Sequence, residues 1–197
     1  SAVEGAFRFL RSLWRMTHEH VARGPVGGLD GMALDAAQQT LRRKIHETIA
    51  KVTDDVSRRY KFNTAIASVM ELVNALAKAP QDTAADRAVL HEGLTTCTLL
   101  LAPIVPHCTE AMWTALGNAT PLVSARWPVA DPAALVRDEI ELVVQVNGKK
   151  RAEIRVAADA DDRSAEASAL AEPNVARFLE GLTVRKVVVV RGRLVNI

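Results

Sequence analysis

A chain of 197 residues, 49% hydrophobic and 24% charged, is close to ordinary soluble proteins and can bury one large core or two small ones. Its formal charge of +2 does not by itself indicate a nucleic-acid partner, so charge matters here only if it segregates in space. Aromatic residues at 4% favour small-residue helix packing over aromatic ligand cages.

The first two-thirds reads as helices. Phe7, Leu10 and Trp14 fall three and four apart and predict the apolar stripe of a first helix. Arg8, Arg11 and Arg15 interrupt the apolar residues there, so no signal peptide is expected. No run approaches the roughly 18 apolar residues of a membrane span, and a soluble protein is expected. Gly24, Pro25, Gly27 and Gly28 mark a loop. Leu41, Ile45, Ile49, Val52 and Val56 then give a helix reaching about Tyr60. Asn63 is the expected N-cap of the next helix, whose stripe is Phe62, Ile66, Val69, Val73 and Leu76. Another helix covers about Thr83 to Ala102, with Leu90, Leu94, Cys97 and Leu101 on one face. Pro106 opens a short helix carrying Met112, Trp113 and Leu116.

Residues 118–138 lose the period, with Pro121, Pro128 and Pro132 among small polar residues, and read as a linker. Trp127 lies within it, so part of the linker is expected to pack on the helices. From about residue 139 the period changes from 3.6 to 2. The order β-β-α-α-β-β suits a small α+β domain with helices on one face of a sheet. Asn147-Gly148 is a hairpin turn, and Arg191-Gly192 lies near a second one. The expected domains are therefore 1–117, helical, and 139–197, small α+β.

Charge in that second domain is unevenly spread. The two hairpins, Leu142 to Val156 and Val184 to Ile197, carry eight bases and one acid, Glu153. The helical middle, Ala157 to Thr183, carries six acids and two bases. Two readings fit: cations that discourage edge pairing, or a surface for an anion such as a phosphate backbone. In the helical region Arg8, Arg11 and Arg15 share a face, and Arg42, Arg43, Lys44 and Arg58, Arg59, Lys61 form two further clusters interleaved with Glu47, Asp54 and Asp55.

Catalytic chemistry is absent from the pattern. His18 and His20 are two apart and face different ways on a helix, and His107-Cys108 lacks partners at zinc spacing. The Gly24–Gly31 stretch lacks the GK[ST] of a P-loop. Cys97 and Cys108 form no CxxC and fit small buried hydrophobes in a reduced, cytoplasmic compartment. No catalytic residue and no metal site is expected.

HETIAKVTDDVSRRYKFNTAIASVMELVNAL (His46 to Leu76) resembles the anticodon-binding helical domain of the bacterial leucyl-tRNA synthetase family. LLLAPIVPHCTEAMWTALG (Leu99 to Gly117) resembles that family's helix-Pro-helix element, and EGAFRFLRSLWR (Glu4 to Arg15) the helix after its catalytic core. ELVVQVNGKKRAEI and RKVVVVRGRLVNI resemble its small C-terminal domain. The departures are Lys150 where the family commonly has Leu, Ala152 where it has Gly, and Arg191 where it has Pro.

The resemblance implies a C-terminal fragment, inactive alone, of a parent that joins leucine to its tRNA with ATP and magnesium. It implies no cofactor in this part, whose partners would be leucine tRNA and the parent's own catalytic and editing domains. No membrane or DNA role and no oligomer are implied. The small domain would touch the outer corner of the tRNA, through Lys149, Lys150, Arg151, Arg185, Lys186 and Arg193. The helical domain would read stem shape and backbone through Arg42, Arg43, Arg58 or Arg59. The competing expectations are a helical protein-interaction module with solvated cations, and a complete small enzyme.

Overall fold

The computed structural model describes residues 2–136, 139–158 and 160–197. Arg137 and Asp138, at the end of the expected linker, and Asp159, among the six acids, lie outside the described residues. The chain forms two units, divided between Leu135 and Val136.

Among the described residues the first unit holds five α-helices: α1 (Ala2–Ala22), α2 (Ala36–Ser57), α3 (Phe62–Leu76), α4 (Ala84–Leu101) and α5 (Pro106–Ala115). Two of them start with reciprocal caps. The Asp35 side chain accepts from the Gln38 N–H, and the Gln38 side chain accepts from the Asp35 N–H. Thr83 and Asp86 do the same for α4. The Gln38 amide then donates to Asp86 Oδ1 at 2.8 Å, tying the two helix starts together. This hydrogen bond, with those from Thr83, holds the Asp86 carboxyl below the usual carboxylate range.

The core of this unit is built from Ile45, Ile49 and Val52 of α2, Val69, Leu72, Val73 and Leu76 of α3, and Leu90, Leu94, Cys97 and Leu101 of α4. The helical periods of these three elements therefore point where their spacing predicts. Gly93 of α4 permits the closest approach. A Cβ there would collide with the Leu76 methyls and lie 3.2 Å from Ile45 Cδ1. Gly93→Val should cost about 2 kcal/mol through overpacking, measured as a lower urea midpoint with an unchanged slope.

Three expectations are corrected. In α1 the buried residues are Leu13, Met16, Thr17 and His20, while Phe7 and Trp14 stand 63% and 40% exposed. Periodicity locates an apolar stripe but does not say what covers it. Asn63 is not an N-cap: α3 begins one residue earlier, and the cap position, Lys61, makes no side-chain bond. Phe62, at the first position of that helix, is 47% exposed instead of buried.

Of the stretch read as a linker, residues 118–135 pack with the helical unit. Trp113 Nε1 donates to the Thr120 carbonyl at 2.8 Å, and the Leu122 N–H donates to Glu110. Trp127 Nε1 donates to Thr53 Oγ1 at 2.8 Å. Further on, the Asp131 N–H donates to His46 Nδ1 at 3.0 Å. That bond fixes the tautomer, so His46 Nε2 carries the proton it shares with Glu92 at 3.1 Å. Arg42 binds Glu92 at 3.1 Å and Asp131 at 2.9 Å. Burial would raise the Glu92 carboxyl, but His46 and Arg42 outweigh it and hold it below its usual value.

The second unit has the order β1 (Glu139–Val146), β2 (Lys149–Ala157), α6 (Asp162–Ala171), α7 (Pro173–Leu179), β3 (Val188–Val190), β4 (Leu194–Asn196). The strands lie in the order β2-β1-β4-β3, antiparallel except for the parallel β1–β4 pair. Leu142, Val144, Ile154, Val156 and Val195 form one face of the sheet and pack with Ala165, Ala169 and Val175 of the helices. The second hairpin is shorter than its sequence predicts: Val184–Val187 is not a strand.

Candidate nucleic-acid interface

The first hairpin turns at Asn147 (φ +51°) and Gly148 (φ +75°). Positive φ at both central residues gives a turn whose twist matches the flanking strands. It is braced from outside the hairpin. The Gly148 N–H donates to Asn196 Oδ1 at 3.0 Å, and the Asn147 N–H donates to the Ile197 carbonyl at 2.9 Å. The turn is thus held by β4 and presents Lys149 at a fixed point.

The three adjacent cations after the turn separate into different roles. Lys149 is exposed. Lys150 is ion-paired with Glu153. Arg151 is the extra residue of a bulge, since Gln145 pairs with Lys150 and Val144 with Ala152. Without a cross-strand partner it lies over the Phe178 ring of α7, with its guanidinium carbon 3.9 Å from the ring centroid. Like-charge repulsion within KKR is therefore relieved by one carboxylate and one ring.

The other expected cations divide similarly. Arg185 and Lys186 lie exposed on the segment before β3, and Arg193 is exposed at the second turn. Among the described residues none of these three, nor Lys149, has a carboxylate partner. Arg191 by contrast binds Asp162 of α6 at 2.8 Å.

In the helical unit, Arg42 is a strut: its Glu92 and Asp131 bonds would have to break before it met a phosphate. Arg43 is half-buried and has interactions of its own. Arg58 binds Asp54 at 2.6 Å, and Arg59 reaches Asp54 and the buried Asp55 at 3.9 and 3.5 Å. Both remain exposed. Sequence reading passed over their neighbour Tyr60, which is 74% exposed. The signal was present in the alternation of cations with aromatics in RRYKF.

Among the described residues no three His, Cys, Asp or Glu side chains come together as a metal site. The Cys97 thiol is fully buried and pushed up to about 12, far from a reactive thiolate. His20 and His91 share a hydrogen bond at 3.2 Å. Burial, then His91, Arg87 and Arg23, lowers His20 to about 4. No helix among the described residues is long and apolar enough to cross a membrane.

What this arrangement offers is a set of exposed cations carried by the small unit. The family described as the anticodon-binding domain of tRNA ligase matches residues 38–167. The chain belongs to that family.

Curated relatives extend the match over the whole chain. It is 60% identical over 199 residues to the leucine–tRNA ligase of Alkalilimnicola ehrlichii, and 56% identical over 197 residues to that of Halorhodospira halophila. In both comparisons all of this chain is covered, but only 23% and 24% of the relative. The chain therefore spans about a quarter of the length of the ligases it matches. The crystal structure of the ternary complex of Agrobacterium radiobacter K84 agnB2 LeuRS, tRNA and LeuAMS superposes with a TM-score of 0.81. It covers 100% of this chain and 25% of that one, and its 24% identity is a likeness of fold.

Proposed function

We propose that this chain is the tRNA-binding part of a leucine–tRNA ligase, holding leucine tRNA by contacts to its backbone and shape. The observation that carries this reading is the set of exposed cations, Lys149, Arg185, Lys186 and Arg193, that have no carboxylate partner among the described residues, in a chain of this family. Phosphate contacts position an RNA without reading its sequence, so base identity is not required of them. The small unit would meet the outer corner of the tRNA, and the helical unit its stem side, with Arg58 and Arg59 as candidates there.

In this reading the parent joins leucine to its tRNA with ATP and magnesium, using catalytic and editing regions outside this chain. Among the described residues no His, Cys, Asp and Glu side chains gather as a metal site. The uncovered Phe7 and Trp14 of α1 fit a face that packs against those regions. The protein would act as a cytoplasmic monomer with no membrane or DNA partner.

Fluorescence anisotropy of labelled leucine tRNA against the 197-residue chain, at low and moderate salt, tests the proposal. Binding should weaken steeply as salt rises, because each neutralised phosphate releases counterions. Absence of binding at low salt would instead favour a protein-interaction module with solvated cations.

A further inference from the structure

Tyr60 sits in a conformation that a tyrosine gains nothing from locally. Its φ is +53°, and among the described non-glycine residues only Asn147 shares a positive φ. A left-handed residue after a helix is most often Gly, because a Cβ there crowds the backbone. Burial does not offset that strain, since the side chain is 74% exposed and makes no ring contact or hydrogen bond among the described residues. Backbone strain retained where packing does not need the side chain points to a use outside the fold.

The surroundings hold the backbone on either side of Tyr60 firmly. The Arg58 and Arg59 N–H groups both donate to the Asp54 carbonyl at 3.1 Å, and the Lys61 N–H donates to the Asp55 carbonyl at 2.8 Å. The Asp54 and Asp55 carboxylates hold the flanking Arg58 and Arg59. Asp55 is itself 0% exposed and also binds Lys51. Lys61 is exposed, and from Ser57 to Phe62 the chain carries three cations and no acid.

We infer that Tyr60 is a stacking platform for an unpaired base of bound RNA, set between cations that attract the adjoining phosphates. This rests on the tRNA-binding reading above and deepens it. A base inside a duplex has both faces covered, so stacking on a side chain requires a loop or splayed nucleotide. Every base has a π-face, so such a contact tolerates sequence while adding affinity that salt does not remove. Arg58 and Arg59 are matched by Asp54 and Asp55, but Lys61, exposed and without a carboxylate partner among the described residues, favours a polyanion over an apolar protein surface.

Tyr60 is the single tyrosine of the chain, so incorporated 3-fluorotyrosine gives one 19F line that reports on this ring alone. The labelled 197-residue chain is titrated with leucine tRNA and, separately, with a fully paired RNA duplex, while anisotropy follows binding independently. The line should shift with tRNA in parallel with the anisotropy and stay in place with the duplex. Tyr60→Phe should bind within twofold of wild type, and Tyr60→Leu should bind roughly tenfold more weakly with the same salt slope. Tyr60→Gly should lose as much affinity while keeping or raising the thermal midpoint, which separates lost stacking from unfolding. If tRNA binds but the line does not move, and Tyr60→Leu binds as wild type does, this inference is overturned and the tRNA-binding reading stands. An equal shift with the duplex also overturns it. If tRNA does not bind by anisotropy, both fail together.

Discussion

Replacing Lys149, Arg185, Lys186 and Arg193 together by Ala should weaken tRNA binding by roughly one to two orders of magnitude at moderate salt. Each phosphate contact contributes roughly 0.7–0.9 to the slope of log affinity against log salt, so losing four should flatten it by about three. The fold should survive, because these side chains are exposed and no carboxylate among the described residues depends on them. A second variant gives the contrast. Lys150→Ala with Arg151→Ala removes as many charges from the turn as two of those four, yet Lys150 is matched by Glu153 and Arg151 lies over Phe178. It should change affinity far less and lower the thermal midpoint of the small unit more. Equal losses of affinity per charge in the two variants would show that pairing is irrelevant and that only net charge counts.

Glu92→Ala should destabilise the helical unit by about 2–3 kcal/mol, because it strips a partner from both Arg42 and the buried His46. The loss should concentrate in residues 122–135, which the same cluster holds through Asp131. Hydrogen exchange should show faster opening there than in α3, and Trp127 emission should move to longer wavelength. Glu92→Gln keeps one acceptor oxygen, enough for one of the two donors, and should lose less. The pH dependence follows from the depressed Glu92 carboxyl. Its contribution is complete above the ordinary glutamate value of about 4.3 and is lost as pH falls through the lower folded value. His20 acts earlier. Its folded value, about 4, lies below the ordinary histidine value of about 6.5, so the unfolded chain takes up the proton first and stability falls as pH drops between the two. Urea midpoints across that range check both signs.

Local chemistry was legible in the sequence and distant pairing was not. Asn147-Gly148 announced its turn because only such residues take two successive positive φ values at low cost. The stripe Ile45, Ile49, Val52 announced a buried face because helical spacing repeats over several turns. Cations were equally visible, but their partners were not. Arg42 meets Asp131 across 89 positions, and Arg191 meets Asp162 across 29. Arg151 left its expected place because a bulge, invisible in the residue types, turned it towards Phe178. Tyr60 was missed for the opposite reason: its neighbours were read as charges alone, and its φ cannot be read from spacing.

The parallel β1–β4 pair has a consequence for the order in which the molecule is assembled. Val143 meets Leu194, a partner 51 positions later (194 − 143), whereas β1 and β2 are neighbours in the chain. A two-stranded hairpin alone is marginal in water; α6 and α7 can cover one face of β1–β2 first, but the sheet is complete only when the late strands arrive. The closure of such a distant pair must overcome loop entropy first, and it slows folding accordingly. During synthesis the helical unit is already complete while this sheet still waits for Leu194–Asn196. The turn that carries Lys149, fastened by Asn196, is then among the last features to take its shape.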